Sequence, residues 1–191
     1  MGHGSSISEP PAGGRDAGAA VFLGIDPGLQ RTGYAAVACD ANERRRVIEA
    51  GVVRLNPRRP IEARLVELQE SLAQIITAHR PDVLVCEQLY AHYKHPRTAI
   101  LMGHARGVIL ALAAQRRLEV MHVAATQAKK MLTGNGRASK AQMQRAVAAM
   151  LRLAAPPEPH DVADAIAIGL CGLQLRAIAG DLSRAAQEVS A

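Results

Sequence analysis

Three apolar runs, residues 21–26, 33–40 and 46–55, follow one another with only short turns between them. Such close spacing leaves no room for helical crossovers, so the three read as an antiparallel meander. The period then changes. After Pro60, Leu65, Leu68, Leu72 and Ile75 fall at steps of three and four, the single apolar stripe of a helix. "DVLVCEQ" (82–88) is a compact strand, residues 97–116 are helical, and "LEVMHVA" (118–124) is a further strand. Shorter helices around 126–132 and 139–151 flank "GNG". "APPEPH" breaks the chain before a last helix over about 161–177. The order β-β-β-α-β-α-β-α-α-α predicts an α/β fold, a mixed five-stranded sheet flanked by helices. In such a sheet the first and fourth strands can lie side by side in parallel, with their C-terminal ends opening on one crevice.

A chain of 191 residues suffices for one sizeable domain. Residues 1–20, small and polar, read as a disordered tail without the charged, apolar, small-residue order of a signal peptide. Residues 21–178 form the folded domain, and 179–191 read as a flexible C-terminal tail. No apolar stretch reaches the length expected of a membrane span. Cys39, Cys86 and Cys171 are scattered. An odd, unclustered set suits a reducing cytoplasm and argues against a disulfide framework or a zinc site. The net charge of +6 points to a polyanionic partner, most often nucleic acid. Arg44–Arg46 and Arg58–Arg59 fall in turns and read as solvated surface.

Asp26 ends the first strand and is followed by Pro27-Gly28. Asp-Pro-Gly suits a tight turn, because Pro27 presets its backbone and Gly28 accepts a positive φ. The same residue can equally be a carboxylate placed at a strand end for chemistry. In the fourth strand Val83, Val85 and Glu87 share one face while Leu84, Cys86 and Gln88 share the other. Glu87 thus closes an apolar strand, either at a solvated rim or paired or metal-bound. Asp161 and Asp164, three apart in "HDVADAIAIGLCGL", share one face of a helix that is apolar almost all round beyond them. They can be a cap and an early-turn acid stabilised by the helix dipole. That role is compatible with metal ligation. Four converging carboxylates repel one another, and two divalent cations balance their charge. Mg²⁺ and Mn²⁺ favour oxygen ligands, and a two-metal centre can activate water against a phosphodiester. On a basic chain this reads as a metal-dependent nuclease.

"GIDPGLQRTGY", "EQLY", "GHARGV", "TQAKKMLTGNGRASKAQMQ" and "HDVADAIAIG" occur in the order found in the RuvC family, which the chain resembles over roughly residues 21–178. The resemblance implies a ribonuclease H-like fold and a cytoplasmic bacterial endonuclease that resolves four-way (Holliday) DNA junctions by paired nicks in recombination and repair. It implies a homodimer working with the RuvA–RuvB branch-migration machinery, and two Mg²⁺ or Mn²⁺ ions per active site. Asp26, Glu87, Asp161 and Asp164 match the family's catalytic carboxylates, and Lys129 and Lys140 match its functionally important lysines. Residues 92–99, "HYKHPRTA", depart from the family's usual segment and are one residue longer, and Tyr90 stands where phenylalanine is frequent.

Phe22, Tyr34, Tyr90 and Tyr93 are the only phenylalanine and tyrosine residues, and the chain has no tryptophan. Tyr90, just past Glu87, can stack on an unpaired base or merely pack its loop. Lys129, Lys130, Arg137 and Lys140 bracket "GNG" as candidate phosphate contacts, with Lys130 and Arg137 carried by charge alone. His92 and His95 read as exposed loop. His160, beside Asp161, is a helix-end residue or a proton-transfer group. Gly103 and Gly107 form G-x-x-x-G, a spacing for close helix packing against the sheet or a second subunit. Three rivals share parts of the pattern. An actin-like phosphate loop would need a second glycine-rich loop and a longer chain. A YqgF-like RNA-processing nuclease fits "EQLY" and "HDVADAIAIG" less well. A non-catalytic junction binder would not need the full carboxylate set.

Overall fold

The computed structural model describes residues 7–8, 19–40, 42–89 and 96–189. Its sheet has six strands in the order β1-β4-β3-β2-β5-β6. They are β1 (Ile7–Ser8), β2 (Ala20–Asp26), β3 (Arg31–Cys39), β4 (Arg45–Arg54), β5 (Val83–Glu87) and β6 (Glu119–Val123). Strands β2, β3 and β4 form the expected antiparallel meander, whereas β5 lies parallel to β2 and β6 parallel to β5. The five expected strands are therefore joined by a sixth. Ile7 and Ser8 pair with Ala50 and Glu49 at the outer edge of β4, which corrects the reading of residues 1–20 as tail at these two positions. An edge strand offers unpaired backbone groups to any extended segment within reach, a force that composition does not reveal.

Five helices complete the fold: α1 (Ile61–His79), α2 (Pro96–Gln115), α3 (Ala125–Thr133), α4 (Lys140–Leu151) and α5 (His160–Val189). Alternation along the strands divides the core in two. Phe22, Val37, Val83 and Val85 pack with residues of α3, α4 and α5 on one face. Leu23, Ile25, Leu84 and Cys86 pack with α1 and α2 on the other. Glu87 continues the Val83–Val85 row and Asp26 the Phe22–Gly24 row, so both acids lie on the α5 face.

Helix α5 reaches that face through glycine. A Cβ on Gly24 would stand 2.3 Å from the Ala165 carbonyl oxygen, and one on Gly33 2.3 Å from that of Asp161. The helix therefore rests on the backbone of β2 and β3. It also runs on to Val189, past the expected end near 177, so residues 179–189, expected as part of a flexible tail, are helical. Residues 181–189 are rich in good helix formers and contain no proline, so nothing in them stops the helix. Arg45 and Arg46 lie within β4, not in a turn, and the Arg45 guanidinium donates to Gln174 of α5. The expectation that no apolar stretch reaches the length of a membrane span is corrected: among the described residues two segments, Arg97–Gln115 and His160–Ser183, are long and apolar enough by length and composition, with mean hydropathies of 1.3 and 1.6. The second is the core helix α5.

Candidate active site

The chain turns sharply after Asp26, and polar contacts fix the turn. The buried Thr32 hydroxyl donates to the Gly28 carbonyl and accepts from the Gly28 N–H. The buried Arg64 guanidinium reaches across from α1 to the Leu29 carbonyl. The turn reading and the chemical reading of Asp26 thus hold together: the turn holds the carboxylate at the strand end. Because β2 and β5 run parallel, with Ile25 beside Cys86, Asp26 and Glu87 emerge at the same end of the sheet. The first turn of α5 crosses there.

Asp26, Glu87 and Asp164 line one cavity of about 200 Å³ with Lys129 and the side chains of Ala125, Ala128, Met143, Ala167 and Ile168. Burial raises the Asp26 carboxyl well above its ordinary range, and the charges of Glu87, Asp164 and Asp161 raise it further, against a smaller opposing pull from Lys140. Glu87 is pushed up to about 7, first by burial and then by Asp164, while Lys129 opposes. Asp164 is raised by burial, against Lys140, His160 and Lys129. Carboxyls held back from ionising by burial, and then by one another's charge, are a set that bound cations would ionise.

Asp161 stands just outside the cavity lining. Its Oδ2 is buried without a hydrogen-bond partner. The Arg31 guanidinium lies 3.6 Å from that oxygen, and His160 Nε2 lies 3.3 Å from the other. Helix α5 begins at His160, so the capping position falls on Pro159 and Asp161 sits inside the first turn. The capping role considered for Asp161 is therefore corrected, because its side chain caps nothing. Among the described residues no three His, Cys, Asp or Glu side chains are already arranged to hold a metal ion. The residues nevertheless fit divalent cations by chemistry. The donors are all oxygen, three of the four acids line one cavity, and Asp161 beside it has a buried carboxylate oxygen without a hydrogen-bond partner.

Of the expected binding residues, Lys129 lines the cavity and Lys140 acts electrostatically on Asp26 and Asp164. Lys140 is the first residue of α4, behind a Ser139–Gln142 capping box. A cation there opposes the helix dipole, so its placement serves the neighbouring carboxylates and not the helix. Lys130 and Arg137 are exposed and line no part of the cavity. The "GNG" segment begins as the C-terminal cap of α3. Gly134 takes φ 73° and donates its N–H to Lys130 O at 2.8 Å, and Asn135 Oδ1 accepts from the Arg137 N–H at 2.9 Å. Tyr90, Tyr93, His92 and His95 lie outside the described residues. A Cβ on Gly103 or Gly107 would meet nothing within 4 Å, so the G-x-x-x-G does not pack against the sheet.

Sequence reasoning missed two arginines. Arg31 was hidden as an ordinary charge at a strand start. Arg106 of α2 donates from Nε to the Glu87 carbonyl at 3.1 Å and places Nη2 2.9 Å from His122 Nδ1. It pins the end of β5, and its position within "GHARGV" was the available signal.

The raised acids have a measurable consequence. Glu87 ionises near 4.5 when unfolded and near 7 when folded. Its contribution to stability is full below pH 4.5 and is lost as pH rises through 7, and Asp26 and Asp164 act in the same direction. In chelator, the protein therefore melts at a higher temperature at pH 5 than at pH 8, and Glu87→Gln narrows the gap. Thermal denaturation followed by circular dichroism checks this; equal melting temperatures for the unmodified chain contradict it.

The family described as "Crossover junction endodeoxyribonuclease RuvC" matches residues 22–172. A protein of that description from Rhodopirellula baltica is 48% identical over 158 residues, covering 83% of this chain and 88% of the relative. Another, from Thermomicrobium roseum, is 40% identical and covers 86% and 95%. Among solved structures, T. thermophilus RuvC in complex with Holliday junction substrate superposes with a TM-score of 0.74 at 29% identity, covering 80% of this chain and 92% of that one. The yeast mitochondrial Holliday junction resolvase Ydc2, at 16% identity, covers 80% and 77% with a TM-score of 0.58 and shares the fold.

Proposed function

The chain belongs to the RuvC family of crossover junction endodeoxyribonucleases, and from that footing we propose that Asp26, Glu87, Asp161 and Asp164 are its catalytic, metal-holding carboxylates. The protein is an endonuclease that resolves four-way DNA junctions, and nuclease activity in this family is metal-dependent. The YqgF-like and non-catalytic alternatives give way to that membership.

One observation carries the residue assignment: acids 61 and 138 positions apart in sequence, Asp26, Glu87 and Asp164, line a single cavity with Lys129. Two Mg²⁺ or Mn²⁺ ions held by the four carboxylates would supply an activated water and stabilise charge on the leaving oxygen. The apolar wall of Ala128, Met143, Ala167 and Ile168 limits water there and strengthens every charge interaction inside. Lys129 and Lys140 hold the DNA backbone beside the acids, and Lys130 and Arg137 extend that phosphate contact over the exposed surface. Tyr90 stacks on a base next to the cut. Cleavage of a synthetic four-way junction beside a linear duplex, with Mg²⁺, Mn²⁺ or chelator, tests the reading. Equal cutting of both DNAs, or cutting in chelator, refutes it.

Pairing of two nicks requires two active sites, and a homodimer through α2 supplies them. The support is the solvent side of that helix, where Ile100 is 59% exposed and Gly103 and Gly107 leave an open, flat strip. A cytoplasmic location and cooperation with RuvA–RuvB follow from the same family role. Lys129→Ala and Lys140→Ala each flatten the salt dependence of junction binding by about one unit of log–log slope. Titrations across a salt series measure it, and an unchanged slope returns that lysine to the solvated surface.

A further inference from the structure

Arg31 and Arg54 are directly opposed partners on β3 and β4, at the end of the sheet where Asp26 emerges. Residues so opposed in an antiparallel pair share a face, and like charges placed there are destabilising. The arrangement is fixed in place, since the Leu55 N–H donates to the Gln30 carbonyl at 3.0 Å. The next turn, shaped by Asn56 Oδ1 accepting from the Arg58 N–H at 2.9 Å, presents Arg58. Arg54 and Arg58 are exposed, and the Arg31 side chain is 51% exposed.

Neighbouring arginines are otherwise committed. Arg59 pairs with Glu67 at 2.7 Å, Arg64 reaches the Leu29 carbonyl, and Arg45 reaches Gln174. Among the described residues Arg54 and Arg58 have no carboxylate partner. Arg31 has only Asp161, the acid assigned above to metal. In sheet order the three arginines lie on the β3–β4 side of Asp26, whereas Lys129 arrives from beyond β5 and β6.

We propose that Arg31, Arg54 and Arg58 form a second phosphate-binding ridge, gripping the DNA backbone of a junction arm that leaves the active site across the ends of β3 and β4. The inference rests on the nuclease reading of the site. A polyanion relieves the repulsion between opposed guanidinium groups, and guanidinium is well suited to phosphate because its planar donors bind two oxygens at once. The carboxylates are then flanked by cations on more than one side, so that a scissile phosphate is held from both directions along its strand.

The test is junction binding in chelator across a salt series, with the unmodified chain, Arg54→Gln, Arg58→Gln, the Arg31→Gln/Arg54→Gln pair, and Arg59→Gln. Arg54→Gln flattens the log–log slope by about one unit with the melting temperature kept or raised, and the pair flattens it further but by less than a second full unit, because Asp161 without metal still faces Arg31. Arg58→Gln flattens it in the same direction. Arg59→Gln, already neutralised by Glu67, leaves it unchanged. An unmodified slope in Arg54→Gln overturns the ridge. So does equal flattening by Arg59→Gln, which would mean that net charge alone is sensed. Preference of the unmodified chain for junction over linear duplex tests the parent reading separately. Slopes remain readable on either DNA, so the two failures are distinguishable.

Discussion

Asp26→Asn and Glu87→Gln each reduce junction cleavage on the order of a thousandfold, because metal-derived charge stabilisation is worth several kcal/mol and each ~1.4 kcal/mol is tenfold in rate. Both substitutions keep the side-chain shape and remove one negative charge from a cavity where three acids already repel one another. The folded domain is therefore not weakened. Melting in chelator at pH 8 moves upward, and junction binding without metal holds or tightens as a charge that repels phosphate disappears. Cleavage rate, metal-free binding and melting temperature, measured together, separate this from misfolding. Asp164→Asn behaves alike. Asp161→Asn is milder, since Asp161 lies outside the cavity lining and is held by Arg31 and His160. Near-normal cleavage by the Asp26 or Glu87 variant removes these residues from the catalytic centre.

Gly24→Ala costs at or above the ~3 kcal/mol upper end of ordinary overpacking. Its Cβ would lie 2.3 Å from the Ala165 carbonyl oxygen and 2.4 Å from the Gly169 nitrogen. Both atoms are backbone, so no side chain can swing aside, and α5 would have to lift from the sheet. Against a total stability of about 5–15 kcal/mol this is a large fraction. Gly180→Ala is the matched control. It lies in the exposed stretch of the same helix, where a Cβ meets nothing within 4 Å. There, losing a helical glycine gains roughly 0.5–1 kcal/mol. Denaturant unfolding of both variants decides the matter, and equal stabilities would show that α5 does not rest on β2 as described.

The strand ends were legible because two periods met at named residues. Alternation along "DVLVCEQ" put Glu87 on the face of Val83 and Val85, and Asp-Pro-Gly marked where β2 stops. Spacing of three put Asp161 and Asp164 on one helical face. What stayed hidden depended on partners distant in sequence. Gly24 and Gly33 look like weak points in strands until α5 is laid against them. Arg31 and Arg54 are ordinary surface charges until the register of β3 and β4 sets them opposite each other. Ile7 and Ser8 carry no strand signature of their own and borrow order from the edge of β4. The length of α5 was misjudged because amphipathic pattern fades where the helix leaves the core, while helix propensity continues.

Helix α5 follows every other described element, and it carries Asp161 and Asp164, two of the four acids proposed for the site. Its bed is made of β2 and β3, formed from residues near the beginning. During synthesis the early strands can pair and bury one face while the other still waits for its cover. On the proposed assignment, a chain cut short before α5 lacks Asp161 and Asp164 and holds only half of the acids. Proteolytic loss of the final helix has the same effect. With the proposed acids so divided, the site waits on the docking of α5 against β2 and β3, a dependence that a nuclease with all its acids on one early hairpin would not have.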